Sequence, residues 1–190
     1  MSIPQREISV VTTMGRTYSG MIDIPNENLR TTDLLNSANL FWRDPNEKCL
    51  NDAILLYDVK LLLDESAIYK KFDKVQIRIP EIIFFFDEFE TLGNSIEKDR
   101  AHSIKEKTGE KSQVVNIITP IIANSFYDIS GTFYGHFKKK TNDKFIPLIN
   151  ATVAEIHKTS GKWQKKGVTL PCKFLGISSG QIESLSIGSD

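Results

Sequence analysis

Hydrolytic or transfer chemistry needs a nucleophile, a base and an orienting group within reach of one another. Bases are scarce in this sequence. The three histidines are His102 in a charged stretch, His136 beside a lysine run and His157 ahead of a basic segment. Each reads as a surface residue rather than a catalytic base. Cys49 and Cys172 stand far apart and in no CxxC pattern, which fits reduced, structural thiols in a cytoplasmic protein. No His/Cys cluster has the spacing of zinc ligands. Asp87, Glu88 and Glu90 could face a hard cation, but they read as the end of a strand entering solvent. Neither GxxxxGKS/T nor GxGxxG occurs, so no nucleotide cradle is expected. The expectation is a protein with no catalytic residues, no cofactor and no metal.

The basic residues offer more. Lys138, Lys139 and Lys140, with Lys144, lie in one predicted loop, and Lys158, Lys162, Lys165 and Lys166 flank Trp163 in another. Lysines neutralise phosphates and an exposed indole stacks on bases, so these residues could form a single-strand contact surface. The plainer reading is a solvated hairpin tip whose tryptophan covers the end of the fold.

These residues need a framework, and the sequence supplies strands. A chain of 190 residues, 40% hydrophobic and 25% charged, suits one medium domain or two small ones. Its apolar runs, such as IIFFF from Ile82, are far shorter than the roughly 20 residues of a membrane helix. The N-terminal MSIPQREIS has no signal-peptide core. ISVVTTMG and RTYSGMIDIP read as a hairpin turning at MGR, with Pro25 ending the second strand. Thr31 or Thr32 could cap one helical turn holding Leu34 and Leu35. AILLYDVKLLL reads as a buried strand or a short helix, DESAIYKKFDK as a loop or hairpin tip, and KVQIRIPEIIFFFDEF as strands broken at Pro80. The three phenylalanines cannot all face one side of a strand. They read as core, or in part as a subunit interface.

From about Glu88 to Ser112 the chain is charged and poor in aromatic and β-branched residues, which marks a partly helical linker. Strand patterns then resume. QVVNII and SFYDISGTF open the second half, KFIPLINATVAEI is extended, HKTSGKWQKKG reads as a basic loop, and VTLPCKFLGISSGQIESLSI closes the chain. The expected division is a first β-barrel unit at 1–87, a linker at 88–112 and a second unit at 113–190. Residues 1–100 hold 12 Lys+Arg against 17 Asp+Glu, and residues 101–190 hold 12 against 7. Opposite charges on the halves favour docking on each other or on a neighbouring copy.

The halves share an order of landmarks. ISVVTT answers VVNIIT, and Tyr18-Ser19-Gly20 answers Ile129-Ser130-Gly131. Leu35-Asn36-Ser37 answers Ile149-Asn150-Ala151, and Ile79 and Ile82 answer Ile177 and Ile182. Five short strands with a hairpin start and a kinked end can pair first with last and close a small barrel. The fold class expected is mainly β, with two such units in tandem.

At these residues the chain resembles the Sm-like barrels. TMGRTYSGMIDI followed by NSANLFWRD places Asn39 near that family's loop asparagine, and ISGTF followed by LINATV gives Asn150 as its counterpart. QIRIPEI, containing Arg78, and LGISSGQI resemble the family's second block. Here Ile79-Pro80 follows Arg78 in place of glycine, and Gly176 is aligned with Arg78 in the second half. The opening half also resembles an uncharacterised bacterial group with Asp-Leu-Leu-Asn, here Asp33 to Asn36. The resemblance implies an SH3-like or Sm-like barrel. In RNA-binding members it also implies a loop Asn, a stacking side chain and an Arg that hold uridine. Two functions follow as expectations. One is a non-enzymatic assembly or scaffold protein that forms a homo-oligomer or meets a protein partner, away from membranes. The other is an RNA- or single-stranded-DNA-binding protein using Asn39, Arg78, Lys138–Lys140, Asn150, Trp163, Lys165 and Lys166.

Overall fold

The computed structural model describes residues 4–25, 29–36, 52–62, 67–87, 99, 103, 112–122, 124–133 and 144–188, without the side chains of 167–171. Nearly all of them belong to one antiparallel sheet of ten strands. In chain order these are β1 (Gln5–Thr12), β2 (Thr17–Asp23), β3 (Ala53–Leu62), β4 (Ile68–Arg78), β5 (Ile82–Asp87), β6 (Gln113–Ile118), β7 (Ser125–Phe133), β8 (Phe145–Thr159), β9 (Lys162–Ser178) and β10 (Ser184–Gly188). A helix, α1 (Thr31–Asn36), precedes β3. Short 3-10 turns at Ile79–Glu81 and Ser179–Gln181 separate β4 from β5 and β9 from β10. No helix among the described residues is long and apolar enough to cross a membrane.

The strands lie in the order β10-β6-β7-β8-β9-β5-β1-β2-β3-β4. Read by halves, the first is β5-β1-β2-β3-β4 and the second is β10-β6-β7-β8-β9, the same order of five. In each half the last strand pairs with the first, β5 on β1 and β10 on β6. The sheet is not closed, and β4 and β10 stand at its two ends. The hairpin from β1 to β2 turns at Gly15, whose φ of 68° permits the left-handed step.

Local chemistry repeats along with the order. Between β2 and β3 the register shifts after Ser19, and between β7 and β8 it shifts after Ser130. The residues bulging opposite these shifts are Asp58, at φ 50°, and Asn150, at φ 48°. Asp and Asn are the side chains that best tolerate this conformation. At Gly20 a Cβ would stand 2.8 Å from the Tyr57 carbonyl oxygen, so the bulge brings backbone where a side chain would be. The backbone N–H of Ile79 donates to the Asp52 carbonyl at 2.7 Å, and that of Ser179 donates to the Lys144 carbonyl at 2.8 Å.

These positions revise the alignment of the halves. Ser19-Gly20 and Ser130-Gly131 lie at the two register shifts, and Asn150 lies opposite its shift as Asp58 does, whereas Asn36 lies on α1. Ile82 and Ile182 each follow a 3-10 turn, so Ile177 answers Ile77, and Arg78 answers Ser178 rather than Gly176. The segment expected as a polar loop, Ile68 to Lys74, is strand β4, and HKTSGKWQKKG is the end of a long β8–β9 hairpin. Its turn is Ser160-Gly161, with φ of 51° and 79°, the twist that suits a two-residue hairpin loop. Apart from Asp99 and Ser103, both helical, residues 88–111 of the expected linker lie outside the described residues.

Two apolar clusters pack against the sheet, taking neighbouring residues of the same strands to opposite faces. The first gathers Ile8, Val10, Ile22, Ile54, Leu56, Leu34 and Leu35 from the first half, with Phe145, Ile149 and Phe174 from the second. The second gathers Val115, Ile117, Ile129, Leu148, Leu175 and Ile177, with Val11, Ile83 and Phe84 from the first half. Each core is therefore completed by residues of the other half.

Candidate assembly edges and the basic hairpin

The halves meet where β5 pairs with β9, matching Phe84 with Ile177, Phe85 with Gly176 and Phe86 with Leu175. The three phenylalanines alternate across the strand. Phe85 enters the first core, while Phe84 enters the second and Phe86 packs against it. Phe84 also meets Phe86 and Tyr127 edge to face, at centroid distances of 5.3 and 4.9 Å. At Gly176 a Cβ would stand 2.2 Å from Phe85 Cε1 and 3.0 Å from Thr32 Cγ2. The aromatic ring thus occupies the place of a side chain on β9.

Helix α1 clamps this joint. The side chain of Asn36 donates from Nδ2 to the Phe145 carbonyl at 2.9 Å and accepts the Phe145 N–H on Oδ1 at 2.7 Å. Thr31 is not the expected cap. It lies inside the helix, where its hydroxyl donates to Asp87 Oδ2 at 2.6 Å and accepts from Arg6 Nη1 at 2.9 Å. Arg6 and Asp87 stand 3.3 Å apart, with side chains 3% and 1% exposed. Asp87 is therefore a buried member of an ionic network rather than a carboxylate entering solvent. Among the described residues no group of three or more His, Cys, Asp or Glu could hold a metal ion.

The outer strands carry the remaining strand edges. β4 runs IYKKFDKVQIR, and Lys70, Lys71 and Lys74 fall in its first seven residues. Its last stretch before Arg78, Val75-Gln76-Ile77, is uncharged. β10 runs SLSIG and has no charge at all. Lysines on an edge strand discourage pairing with another chain. The uncharged ends of β4 and β10 lack that protection.

No protein-family model matches the chain, and no curated protein or solved structure matches it either. The arrangement must be read from its own residues.

Of the residues singled out in the sequence, Asn39, Lys138, Lys139 and Lys140 lie outside the described residues. Arg78 ends β4 and donates through Nη2 and Nε to Asp52 Oδ2, at 2.8 and 3.3 Å. That hydrogen bond holds the Asp52 carboxyl below its ordinary range, with the charges of Arg78 and Lys144 adding to it. Asn150 is exposed on β8, at the bulge.

Trp163, Lys165 and Lys166 come together on the β8–β9 hairpin, but not on one face. Lys158 pairs with Trp163, and Lys165 pairs with Ile156. Because side chains alternate along a strand, Lys158, Trp163 and Lys165 share a face with Phe126. There the Trp163 and Phe126 rings meet edge to face at 5.3 Å, and Lys158 Nζ stands 5.7 Å from the indole centroid. Lys166 points to the opposite face, where it bonds Glu155 at 3.1 Å. Trp163 remains 42% exposed.

Two other groups are displaced by burial. The Cys172 thiol is pushed up to about 12, and the Tyr127 hydroxyl is driven further above its ordinary value, Glu155 adding to the effect. Cys172 is thus a poor nucleophile. Sequence reasoning did not find Gly176, Asn36 or the Arg6–Asp87 pair. The only signal for the first was an unexplained glycine inside an apolar strand.

Proposed function

We propose that this chain is a non-enzymatic assembly protein of the cytoplasm, made of two Sm-like small barrel units in tandem. The observation that carries this reading is the β5–β9 joint. It pairs the last strand of one half with the fourth strand of the other. The same two kinds of strand, β4 and β10, are left at the ends of the sheet. The repeated strand order, the matched bulges at Asp58 and Asn150 and the matched hydrogen bonds of Ile79 and Ser179 support the two-unit reading. A unit that already joins to a second unit edge to edge can join to a third. Size-exclusion chromatography with light scattering tests this: assembly gives a mass that is a multiple of 21.5 kDa.

A second reading is a single-strand nucleic-acid contact on the hairpin. Lys158 and Lys165 flank the half-exposed Trp163 on one face, which combines phosphate neutralisation with a stacking surface. Binding of labelled oligonucleotides across a salt series tests it. A lack of binding at low salt removes it.

A further inference from the structure

We propose that the β8–β9 hairpin is a peripheral lipid anchor, which seats Trp163 in the interface of a bilayer rich in anionic lipid. The anchor is separate from assembly and does not depend on it. From Lys158 to Lys166 every residue is exposed, four of them are lysines and none is acidic. The tip therefore offers positive charge alone to solvent. The carboxylate at the base of its arms, Glu155, is bonded to Lys166 on the face away from Trp163.

The face that carries Trp163 is amphipathic. Ile156 pairs with Phe126 on β7, and the Trp163 ring meets the Phe126 ring, so the three side chains form one apolar group. Lys158, opposite Trp163, and Lys165, opposite Ile156, flank it. Such a face suits a membrane–water interface, where the indole sits at headgroup level and lysine stems carry their charge to the lipid phosphates. Trp163 is 42% exposed while Phe126 and Ile156 are half-buried, so the tryptophan enters first.

The surroundings of the indole favour lipid over a nucleic-acid base. Lys158 Nζ stands over the ring, 5.7 Å from its centroid, and leaves only the other side open for stacking. A base needs such an open π face. An indole at an interface does not, and it keeps both Lys158 and Phe126 as neighbours.

The two halves differ at this point. Hairpin β3–β4 holds the same place in the first half, but Asp64 and Glu65 lie between its strands and Asp73 lies on β4. Carboxylates beside its lysines oppose an anionic surface. One anchor per chain follows. Its binding combines a small apolar contact with charge attraction, so it is reversible and weakened by salt. Such a contact needs no spanning segment, and it replaces the expectation of a chain kept away from membranes.

The test is cosedimentation of the full chain with phosphatidylcholine vesicles, with and without phosphatidylserine. Binding is expected only where phosphatidylserine is present. Lys158→Gln with Lys165→Gln should lower the partition coefficient about 25-fold, about fivefold for each lysine. Lys70→Gln with Lys71→Gln, on the first hairpin, should leave it nearly unchanged. In Trp42→Phe protein Trp163 is the sole tryptophan. Its emission is expected to shift to the blue on binding and to be quenched by lipid brominated near the headgroup. The difference between wild type and Trp163→Phe gives the same reading if Trp42→Phe does not fold. Absence of cosedimentation with phosphatidylserine vesicles at low salt would overturn the proposal. Binding with unshifted Trp163 emission, or equal losses from the two lysine pairs, would do the same. Binding of a single-stranded oligonucleotide in place of vesicles would also overturn it, and would assign the hairpin to nucleic acid.

Discussion

Phe85 lies directly opposite Gly176, and its ring fills the volume into which any side chain at Gly176 would project: an added Cβ would stand 2.2 Å from Cε1. This single large-against-nothing pair sits at the centre of the joint between the two halves. It explains why a glycine interrupts an otherwise apolar strand.

Gly176→Val is expected to cost about 1–3 kcal/mol by overpacking, read as a lower urea midpoint. Pairing it with Phe85→Leu should recover part of the loss. A double-mutant cycle with a coupling near zero would show that the two positions do not share this space.

Much of the strand content was legible, because β-branched runs, Gly-containing strands and the kinks at Pro80 and Ser179-Gly180 carry local signals. The Ser160-Gly161 hairpin was legible as a tip but not as long strands, since lysines on both sides mask the extended arms as a basic loop. The first part of β4, Ile68 to Asp73, reads as a loop or hairpin tip because it is Lys-rich, while its end, from Lys74, reads as strand since only there does it alternate with apolar residues. The pairing of Asn150 with Asp58 was hidden because both act through backbone conformation at a bulge, which an alignment of apolar landmarks does not detect. Of the candidate site residues, Trp163 and Lys165 do share a face. Lys166 does not, since one step along a strand reverses its direction.

Asn36 bonds both backbone groups of Phe145 and ties α1 to the second half. Asn36→Ala is expected to lower stability by about 1–3 kcal/mol, since it leaves a donor and an acceptor without their partner. Asn36→Asp should not rescue it, because a carboxylate would face the Phe145 carbonyl. Chemical denaturation of the two variants beside wild type is the check. Equal stability of Asn36→Asp and wild type would contradict the assigned geometry.

Asp87→Ala removes the carboxylate that faces Arg6 in a buried setting. A loss of about 3–5 kcal/mol is expected in equilibrium unfolding. The double replacement Arg6→Met with Asp87→Leu should be less damaging than Asp87→Ala alone, because it does not leave the Arg6 charge buried opposite a missing carboxylate.

Burial raises the Cys172 thiol to about 12 in the folded protein, well above its ordinary range. The folded state therefore holds its proton more tightly than the unfolded state. This contribution to stability is complete below pH about 9 and declines as pH rises toward 12. In the Cys49→Ser background, thiol reagents at pH 8 should modify Cys172 slowly in native protein and quickly in urea. Fast labelling of native protein would contradict the burial of this thiol.

The two lysines beside Trp163 should behave differently in oligonucleotide binding. Lys165→Glu, on the tryptophan face, is expected to weaken it and reduce the salt slope by about 1, whereas Lys166→Glu, on the Glu155 face, should change it less. Equal losses would argue for diffuse charge rather than a defined surface.

The claim that the strand edges build an assembly is tested most directly by light scattering of the unmodified chain over a wide concentration range. The account predicts a weight-average mass that rises with concentration through multiples of 21.5 kDa. A constant mass of 21.5 kDa up to the highest concentration would contradict it.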